Sequence, residues 1–412
     1  MFSILNSIGP EIPLTLVLLA LLGLRHRVTP KVNLFIRAPI AQVFNIIDLT
    51  DGKINRWSST VVTSTLVDAA HRIYRKTYTT TLTTGAQQTG EALFSIDERV
   101  EPRLLVLRRE GLEGRSTANE LLVQRYMLEE EDGGTRLSMT YEWGPRPLLA
   151  QMLARADLWG GIFRIKGLAE TGTPDERPYM VISAGVALIT GLISMGAFGL
   201  LLGWRAALML VIALFVHEFG HLLAYRLMGQ PWGRMIFLPF LGAVALPRLP
   251  FHSQGQSVFA ALMGPGFSTL LALLCLIPAM LGDAPNPYVA LFGLIVVGLN
   301  IFNLLPAEPL DGGVALRSVL GRIMGSAARF GLMFVGLLIG GIGMLMHQFV
   351  LVLFGGIAIL ANIRQRRIDV GLVPLSRLQI VITIFAYVSM TAAYMTLFKY
   401  FLAYASLLQS AS

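Results

Sequence analysis

Residues 206–221, AALMLVIALFVHEFGH, end an uncharged apolar run with the polar string His217-Glu218-Phe219-Gly220-His221. Two imidazoles and a carboxylate are costly in a bilayer, so their presence in such a segment indicates a function. Residues i and i+4 share one helix face, so His217 and His221 can reach one metal ion. Glu218 is then placed to take a proton from metal-bound water. The alternative, two core histidines without a ligand, is disfavoured in a membrane span, where every polar group needs a partner.

The composition is that of a multi-span membrane protein. The chain has 412 residues, of which 54% are hydrophobic and 14% charged, and its mean hydropathy is +0.63. The net charge is +8, but many arginines lie at the ends of apolar segments, which is the positive-inside pattern and not a nucleic-acid-binding face. The single Cys275 excludes an intrachain disulfide and fits a cytoplasm-facing protein.

The pattern predicts four parts. Residues 1–29 form a membrane anchor, because basic residues follow the apolar segment 12–24 and none precedes it, unlike a cleaved signal peptide. Residues 30–170 form a soluble α+β domain, because apolar and polar residues alternate there as in half-buried strands. Residues 171–178 are a linker, and residues 179–412 are a transmembrane domain. The expected strands are 31–37, 61–67, 72–84, 91–98, 104–110, 119–129 and one around Leu137, and the expected helices start near 38 and span 146–168.

Seven spans are predicted in the last part, at 179–203, 206–228, 258–281, 288–306, 330–346, 348–363 and 378–402. Arginines at 364, 366, 367 and 377 mark the loop between the last two spans as cytoplasmic. Counting back, loop 307–329 is also cytoplasmic, loop 282–287 lies outside, and the soluble domain is cytoplasmic. We therefore expect a multi-pass protein of the bacterial inner membrane.

A zinc site needs a third protein ligand and one open position. The string Asn303-Leu304-Leu305-Pro306-Ala307-Glu308-Pro309-Leu310-Asp311-Gly312 follows an apolar span and brings a carboxylate near membrane depth. Its prolines break the helix before Asp311, and the glycine after Asp311 allows close backbone approach. The alternative is the simple end of a span with a solvated aspartate.

The two motifs together resemble the site-2 protease family of intramembrane zinc metalloproteases, whose members carry H-E-x-x-H and, later, N-x-x-P-x-x-P-L-D-G. The resemblance covers about 180–320. It implies one Zn²⁺ per chain, with His217, His221 and Asp311 as ligands and Glu218 as the general base. Residues 237–246 resemble the family's re-entrant β-loop. Ser268 stands where the family's G-P-x-x-N motif has asparagine, so Ser268 or Asn303 is the candidate donor to the substrate or its oxyanion.

The soluble domain resembles the START-like, or polyketide cyclase-like (SRPBCC), superfamily. The matching pieces are the opening I-x-A-P-x-x-x-V-F at 36–44, Trp57 and the strand at 134–141. The expected fold class is therefore a multi-span α-helical membrane protein with an N-terminal α+β helix-grip domain. The superfamily implies a cavity for an apolar ligand; the alternative is a filled core that serves as a substrate-docking surface.

The expected function is hydrolysis of peptide bonds in membrane-embedded proteins by a zinc metalloendopeptidase. The expected partners are a transmembrane protein substrate and the lipid bilayer, without nucleic acid. The rival hypothesis is a lipid-binding or sensing membrane protein whose metal site is vestigial or structural. It does not explain Glu218, which a structural site does not need. A metal transporter would spread its ligands over more spans than two.

Overall fold

The structure is a computed structural model that describes residues 25–27, 29–57, 60–81, 87–110, 122–281, 286–307, 310–347 and 372–410, with scattered residues between 352 and 363. The chain divides into two compact units, one up to Val186 and one from Ala187 onward. The predicted anchor segment 12–24, the predicted span 348–363 and the arginines at 364–367 fall wholly or largely outside the described residues.

The first unit is built on an antiparallel sheet of eight strands in the order β2-β9-β8-β7-β6-β5-β4-β3. Neighbouring strands are mostly consecutive in sequence, and only β2 closes against β9 from a distance, as the predicted meander requires. The strands are β2 (Lys31–Ile36), β3 (Lys53–Trp57), β4 (Thr60–Asp68), β5 (Ile73–Thr81), β6 (Gln87–Val100), β7 (Leu104–Glu110), β8 (Val123–Glu131) and β9 (Gly134–Glu142). A separate pair joins β1 (Arg25–His26) to β10 (Arg146–Pro147).

Two helices pack on the inner face of this sheet, α1 (Ile40–Ile47) and α2 (Leu148–Thr171). Residues Leu158, Ile162 and Ile165 of α2 recur at helical spacing and are at most 1% exposed. They share one core with Leu105 and Leu137 of the sheet. A curved sheet closed around a long C-terminal helix is the helix-grip arrangement, which confirms the predicted START-like fold class. Strand β3, which holds Trp57, was not predicted.

The second unit is helical, and five of the helices found in the described residues are long and apolar enough to cross a membrane. These are α3 (Arg177–Leu202), α4 (Trp204–Leu227), α5 (Gln254–Leu281), α8 (Ala328–Leu345) and α9 (Arg377–Ser410, apolar to Leu408). Helix α6 (Pro287–Asn303) is apolar but shorter, and α7 (Asp311–Met324) is followed by a single 3₁₀ turn, Gly325–Ala327. Helix α3 begins in the first unit and continues into the second. The chain is an integral membrane protein.

The prediction of a loop at 307–329 is wrong, because most of this segment forms helix α7. Its Ala315, Ser318 and Val319 are buried, and helical spacing puts Arg317 on the opposite face. Arg322 follows the buried face at the end of the helix and donates its Nε–H to the carbonyl oxygen of Leu375 at 3.2 Å. Reading the arginines as loop signals hid this amphipathic spacing. The predicted β-loop after α4 is confirmed as a hairpin, β11 (Arg234–Leu238) and β12 (Gly242–Leu246). Its turn places Phe240 and Gly242 at φ 64° and 113°.

Candidate metal centre

Helix α4 brings the two histidines of the H-E-x-x-H string onto one buried face. His217 is 2% exposed and His221 8%. Their spacing of four residues places the rings one turn apart in an edge-to-face arrangement, with centroids 4.9 Å from each other. The two Nε2 atoms face each other at 3.2 Å. The predicted pairing of the imidazoles on one helix face is therefore present.

Asp311 reaches the same point from another part of the chain. Helix α6 ends at Asn303 and α7 begins at Asp311, so the proline-containing segment between them turns the chain back toward α4. A Cβ on Gly312 would lie 2.2 Å from the carbonyl oxygen of Leu304, so only glycine permits this turn. Asp311 Oδ2 lies 3.1 Å from His217 Nε2 and 3.6 Å from His221 Nε2. The three predicted ligands thus converge.

Hydrogen bonds to the outer ring nitrogens fix which tautomer each histidine adopts. His217 Nδ1 lies 2.9 Å from Asn300 Oδ1, and His221 Nδ1 lies 2.8 Å from the carbonyl oxygen of Ala260. The Asn300 amide must present its oxygen to His217, because its Nδ2 donates to the carbonyl of Val296 at 2.7 Å. Both Nδ1 atoms therefore donate, and both Nε2 atoms keep a free lone pair directed at the other ring.

The arrangement fits a tetrahedral cation. Ligand atoms bound to zinc at about 2.0–2.1 Å lie roughly 3.3–3.4 Å apart along the edges of a tetrahedron. The three edges here are 3.1, 3.2 and 3.6 Å. Asp311 Oδ2 is buried, and no hydrogen-bond partner is found for it among the described residues. Two lone pairs and a carboxylate oxygen at these distances repel one another unless a cation lies between them, so the residues present fit a bound metal ion.

Glu218 lies beside this trio and contacts the hairpin. It is 5% exposed, and one oxygen of its carboxylate lies within 4.8 Å of a ring nitrogen of each histidine. Its carboxylate accepts a hydrogen bond from the backbone N–H of Ala245 on β12. Tyr225, two turns further along α4, donates its hydroxyl to the carbonyl oxygen of the same Ala245 at 3.1 Å. The carboxylate is thus held beside the two imidazoles.

Helix α5 closes the other side of the site with glycine. A Cβ on Gly264 would lie 2.4 Å from His221 Nε2 and 3.0 Å from His217 Nε2, so a side chain here would occupy the space between the ligands. Gly220 of α4 is equally constrained, because its Cβ would lie 2.3 Å from the carbonyl oxygen of Met263. The G-P-x-x-S stretch therefore faces the metal centre.

The two predicted donor residues differ in their surroundings. Ser268, one turn after Gly264 on α5, is fully buried, and its Oγ has no hydrogen-bond partner in the described part of the chain. Asn303 is half-buried and donates its amide to the carbonyl of Leu299 in its own helix at 3.1 Å. The residue that sequence reasoning missed is Asn300. Its signal was an amide inside the apolar span 288–306, three residues before the motif asparagine.

Comparisons with known proteins concern parts of the chain. A protein of Synechocystis sp. named as a zinc metalloprotease, sll0528, is 32% identical over 129 residues, which are 31% of this chain and 34% of that protein. Zinc metalloprotease MJ0392 of Methanocaldococcus jannaschii is 29% identical over 121 residues, 29% of this chain and 35% of its own length. The chain thus spans about a third of each relative that it matches. No protein-family model matches the chain.

Two solved structures match parts of the chain. The site-2 protease of Methanocaldococcus jannaschii matches 44% of this chain and 88% of its own, with 22% identity and a TM-score of 0.33. A Chromobacterium violaceum protein matches 36% of this chain and 98% of its own, with 17% identity and a TM-score of 0.27. Over these 121–129 residues the chain is similar to proteins named as zinc metalloproteases.

Proposed function

We propose that the chain is an intramembrane zinc metalloendopeptidase that hydrolyses peptide bonds of membrane-embedded proteins. The observation that carries the proposal is the convergence of His217 Nε2, His221 Nε2 and Asp311 Oδ2 within 3.1–3.6 Å, with Glu218 beside them. A structural metal site is usually closed by four protein ligands, whereas three ligands and an adjacent carboxylate leave one position for chemistry.

Zn²⁺ held by these three ligands would acidify a coordinated water and polarise the scissile carbonyl. The residues of the chain do the remaining work. Glu218 accepts the proton of the attacking water and returns it to the leaving amine. Its position beside both histidines suits it to this role. Asn300 and Ala260 hold the imidazoles in the tautomer that presents Nε2. The Ser268 hydroxyl, buried and unpartnered in the described structure, is the candidate donor to the substrate carbonyl.

Water must reach a site below the membrane surface. His221 lies seven residues before Met228, the C-cap of α4. At 1.5 Å per residue this depth is about 10 Å. Following the positive-inside pattern, we place that end of α4 and the soluble domain on the cytoplasmic side of a bacterial inner membrane. A short aqueous path from that side would then supply the water.

The substrate must be unwound, because a helix hides its amides in internal hydrogen bonds. We place the unwound segment on the outer edge of β12. The N–H and the carbonyl oxygen of Ala245 both point to α4. The backbone groups of residues two apart on a strand point to the same edge. Ala243 therefore also points outward, and its backbone groups have no partner among the described residues. On the opposite edge, the N–H of Phe237 donates to Thr190 Oγ1 at 3.2 Å, so that edge is covered.

The catalytic part of the proposal is tested with Glu218→Gln. This variant should keep one zinc per chain and lose cleavage, measured by mass spectrometry of membrane-protein fragments from cells that carry the wild type or the variant. Equal fragment patterns would reject the peptidase and favour the lipid-binding or sensing alternative, in which the metal site is vestigial or structural.

The β12 part is tested separately by a proline series over residues 236–245. Proline at Ala243 removes an outward N–H without breaking a β11–β12 bond, so it should impair cleavage while zinc binding is retained. Full activity of that variant would reject substrate pairing at this edge.

A further inference from the structure

Helix α9 lies outside the part of the chain that carries the two metal-site motifs, yet it packs on α5, α6 and α7, the helices around the metal centre. Its contacts run along the whole of α6, in the antiparallel direction. At the start of α6, the backbone N–H of Asn286 donates to the hydroxyl oxygen of Tyr404 at 2.8 Å. At its end, the hydroxyl of Tyr387 meets the C-cap residue Leu304. The fully buried Phe401 belongs to the apolar cluster between them, so α9 holds α6 at both ends.

Tyr387 bonds to the turn that sets the position of Asp311. Its hydroxyl donates to the carbonyl oxygen of Leu304 at 2.7 Å. Carbonyl groups at a helix end need a donor from elsewhere, and Pro306 prevents the helix from continuing. Gly312 packs on the same oxygen so closely that a Cβ there would lie 2.2 Å from it. Because Asp311 directly precedes Gly312, a displaced Leu304 carbonyl would displace the carboxylate from the histidines.

Tyr394, two turns after Tyr387 on the same face of α9, bonds to the other side of the metal centre. It is fully buried, and its hydroxyl donates to the carbonyl oxygen of Pro265 at 2.7 Å. Thr269 Oγ1 lies 3.3 Å from the same hydroxyl. A proline inside a helix removes one N–H and weakens its turn. Pro265 directly follows Gly264, which faces the Nε2 atoms of both histidines, so Tyr394 supports the turn that places this glycine.

Packing alone does not explain these two hydroxyls. Phenylalanine would fill nearly the same space, and a buried hydroxyl costs free energy unless it is hydrogen-bonded. Each hydroxyl bonds to a backbone carbonyl in a proline-containing segment beside the metal ligands. Loss of either hydroxyl would therefore leave the helix packing in place and release the segment that it holds.

We propose that Tyr387 and Tyr394 are positioning residues of the metal centre. Tyr387 holds Asp311 beside the histidines through Leu304. Tyr394 holds the α5 side of the site through Pro265. Both act through the backbone and not by contact with the metal ion. The inference rests on the proposed zinc site, but it does not require peptide hydrolysis.

The test measures the zinc affinity of the purified full chain by competition with a zinc-binding dye. Loss of one hydrogen bond to the backbone should weaken zinc binding roughly three- to ten-fold in Tyr387→Phe and in Tyr394→Phe. Tyr404→Phe is the matched control, because it removes the same group from the same helix at the far end of α6, and it should bind zinc as the wild type does. Thermal unfolding of all three variants separates a general loss of stability from an effect at the site.

A spectroscopic measurement reports the geometry of the ligands. The visible absorption of the cobalt-loaded chain depends on that geometry, so Tyr387→Phe and Tyr394→Phe should alter it and Tyr404→Phe should not. Zinc affinity within two-fold of the wild type, together with an unchanged cobalt spectrum, would overturn the role of the tyrosine concerned. An equal loss of zinc affinity in Tyr404→Phe would overturn both roles. Absence of zinc from the wild type would overturn the proposed function and this inference together, whereas zinc binding without cleavage of any membrane protein would count against the peptidase alone.

Discussion

Replacing Asn300 with leucine tests how the chain prepares the site for its metal. The amide oxygen accepts from His217 Nδ1 at 2.9 Å, and both residues are almost fully buried. Leucine has a similar volume but no acceptor, so it leaves a buried N–H unsatisfied, at a cost of about 1–3 kcal/mol. His217 can escape this cost by moving its proton to Nε2, which points into the site and blocks coordination. Loss of such an outer partner typically weakens metal binding about 10–100-fold.

The assay is competition between the purified full chain and a zinc-binding dye, with zinc stoichiometry measured by mass spectrometry. We expect Asn300→Leu to weaken zinc binding about 10–100-fold and Asn300→Asp, which keeps an acceptor, to stay close to the wild type. Asn303→Leu is the matched control for zinc affinity, because its amide bonds only to Leu299 of its own helix. Zinc affinity of Asn300→Leu within two-fold of the wild type would show that the Asn300 amide does not prepare His217 for the metal.

Three further results are expected. Asp311→Asn should lower zinc occupancy measured by elemental mass spectrometry, because it removes the anionic ligand from the trio; full occupancy would contradict its assignment. Gly264→Ala should lower zinc affinity at least ten-fold, because its Cβ would lie 2.4 Å from His221 Nε2. Unchanged affinity would show that α5 can move away from the histidines without loss of zinc binding. Lys76→Met should slow hydrogen exchange of β5 and β6 amides at pH 7, because it removes a desolvated charge worth roughly 1–3 kcal/mol. In the wild type that protection should rise with pH between about 8 and 10.5, where the unfolded chain binds more protons, and it should rise less in Lys76→Met.

The candidate ligands could be proposed from sequence because the position of each follows from local rules. The i, i+4 spacing of His217 and His221 fixes one helix face, and the prolines before Asp311 force a break between helices. The meeting of Asp311 with that face is a long-range contact, and only the two-motif resemblance supplied it. The fold class of the sheet domain was likewise predictable, because strand alternation shows which residues point inward. Alternation does not show which strands pair at the edges of the sheet.

What the sequence hid are interactions whose partners lie far apart. In the sequence, Asn300 is one more polar residue in an apolar span. Its hydrogen bond to His217 depends on the approach of α6 to α4. Lys76 reads as an exposed residue of a half-polar strand, and only its register opposite Ala92 shows that it faces inward. Helix α7 was taken for a loop because its arginines were read as topology signals.

Zinc K-edge X-ray absorption on the full chain shows directly whether His217, His221 and Asp311 hold one zinc ion. We expect one zinc per chain with two imidazole nitrogens and a carboxylate oxygen at about 2.0–2.1 Å, and loss of this spectrum in Asp311→Ala. A zinc spectrum without imidazole scattering, or one unchanged by Asp311→Ala, would contradict it.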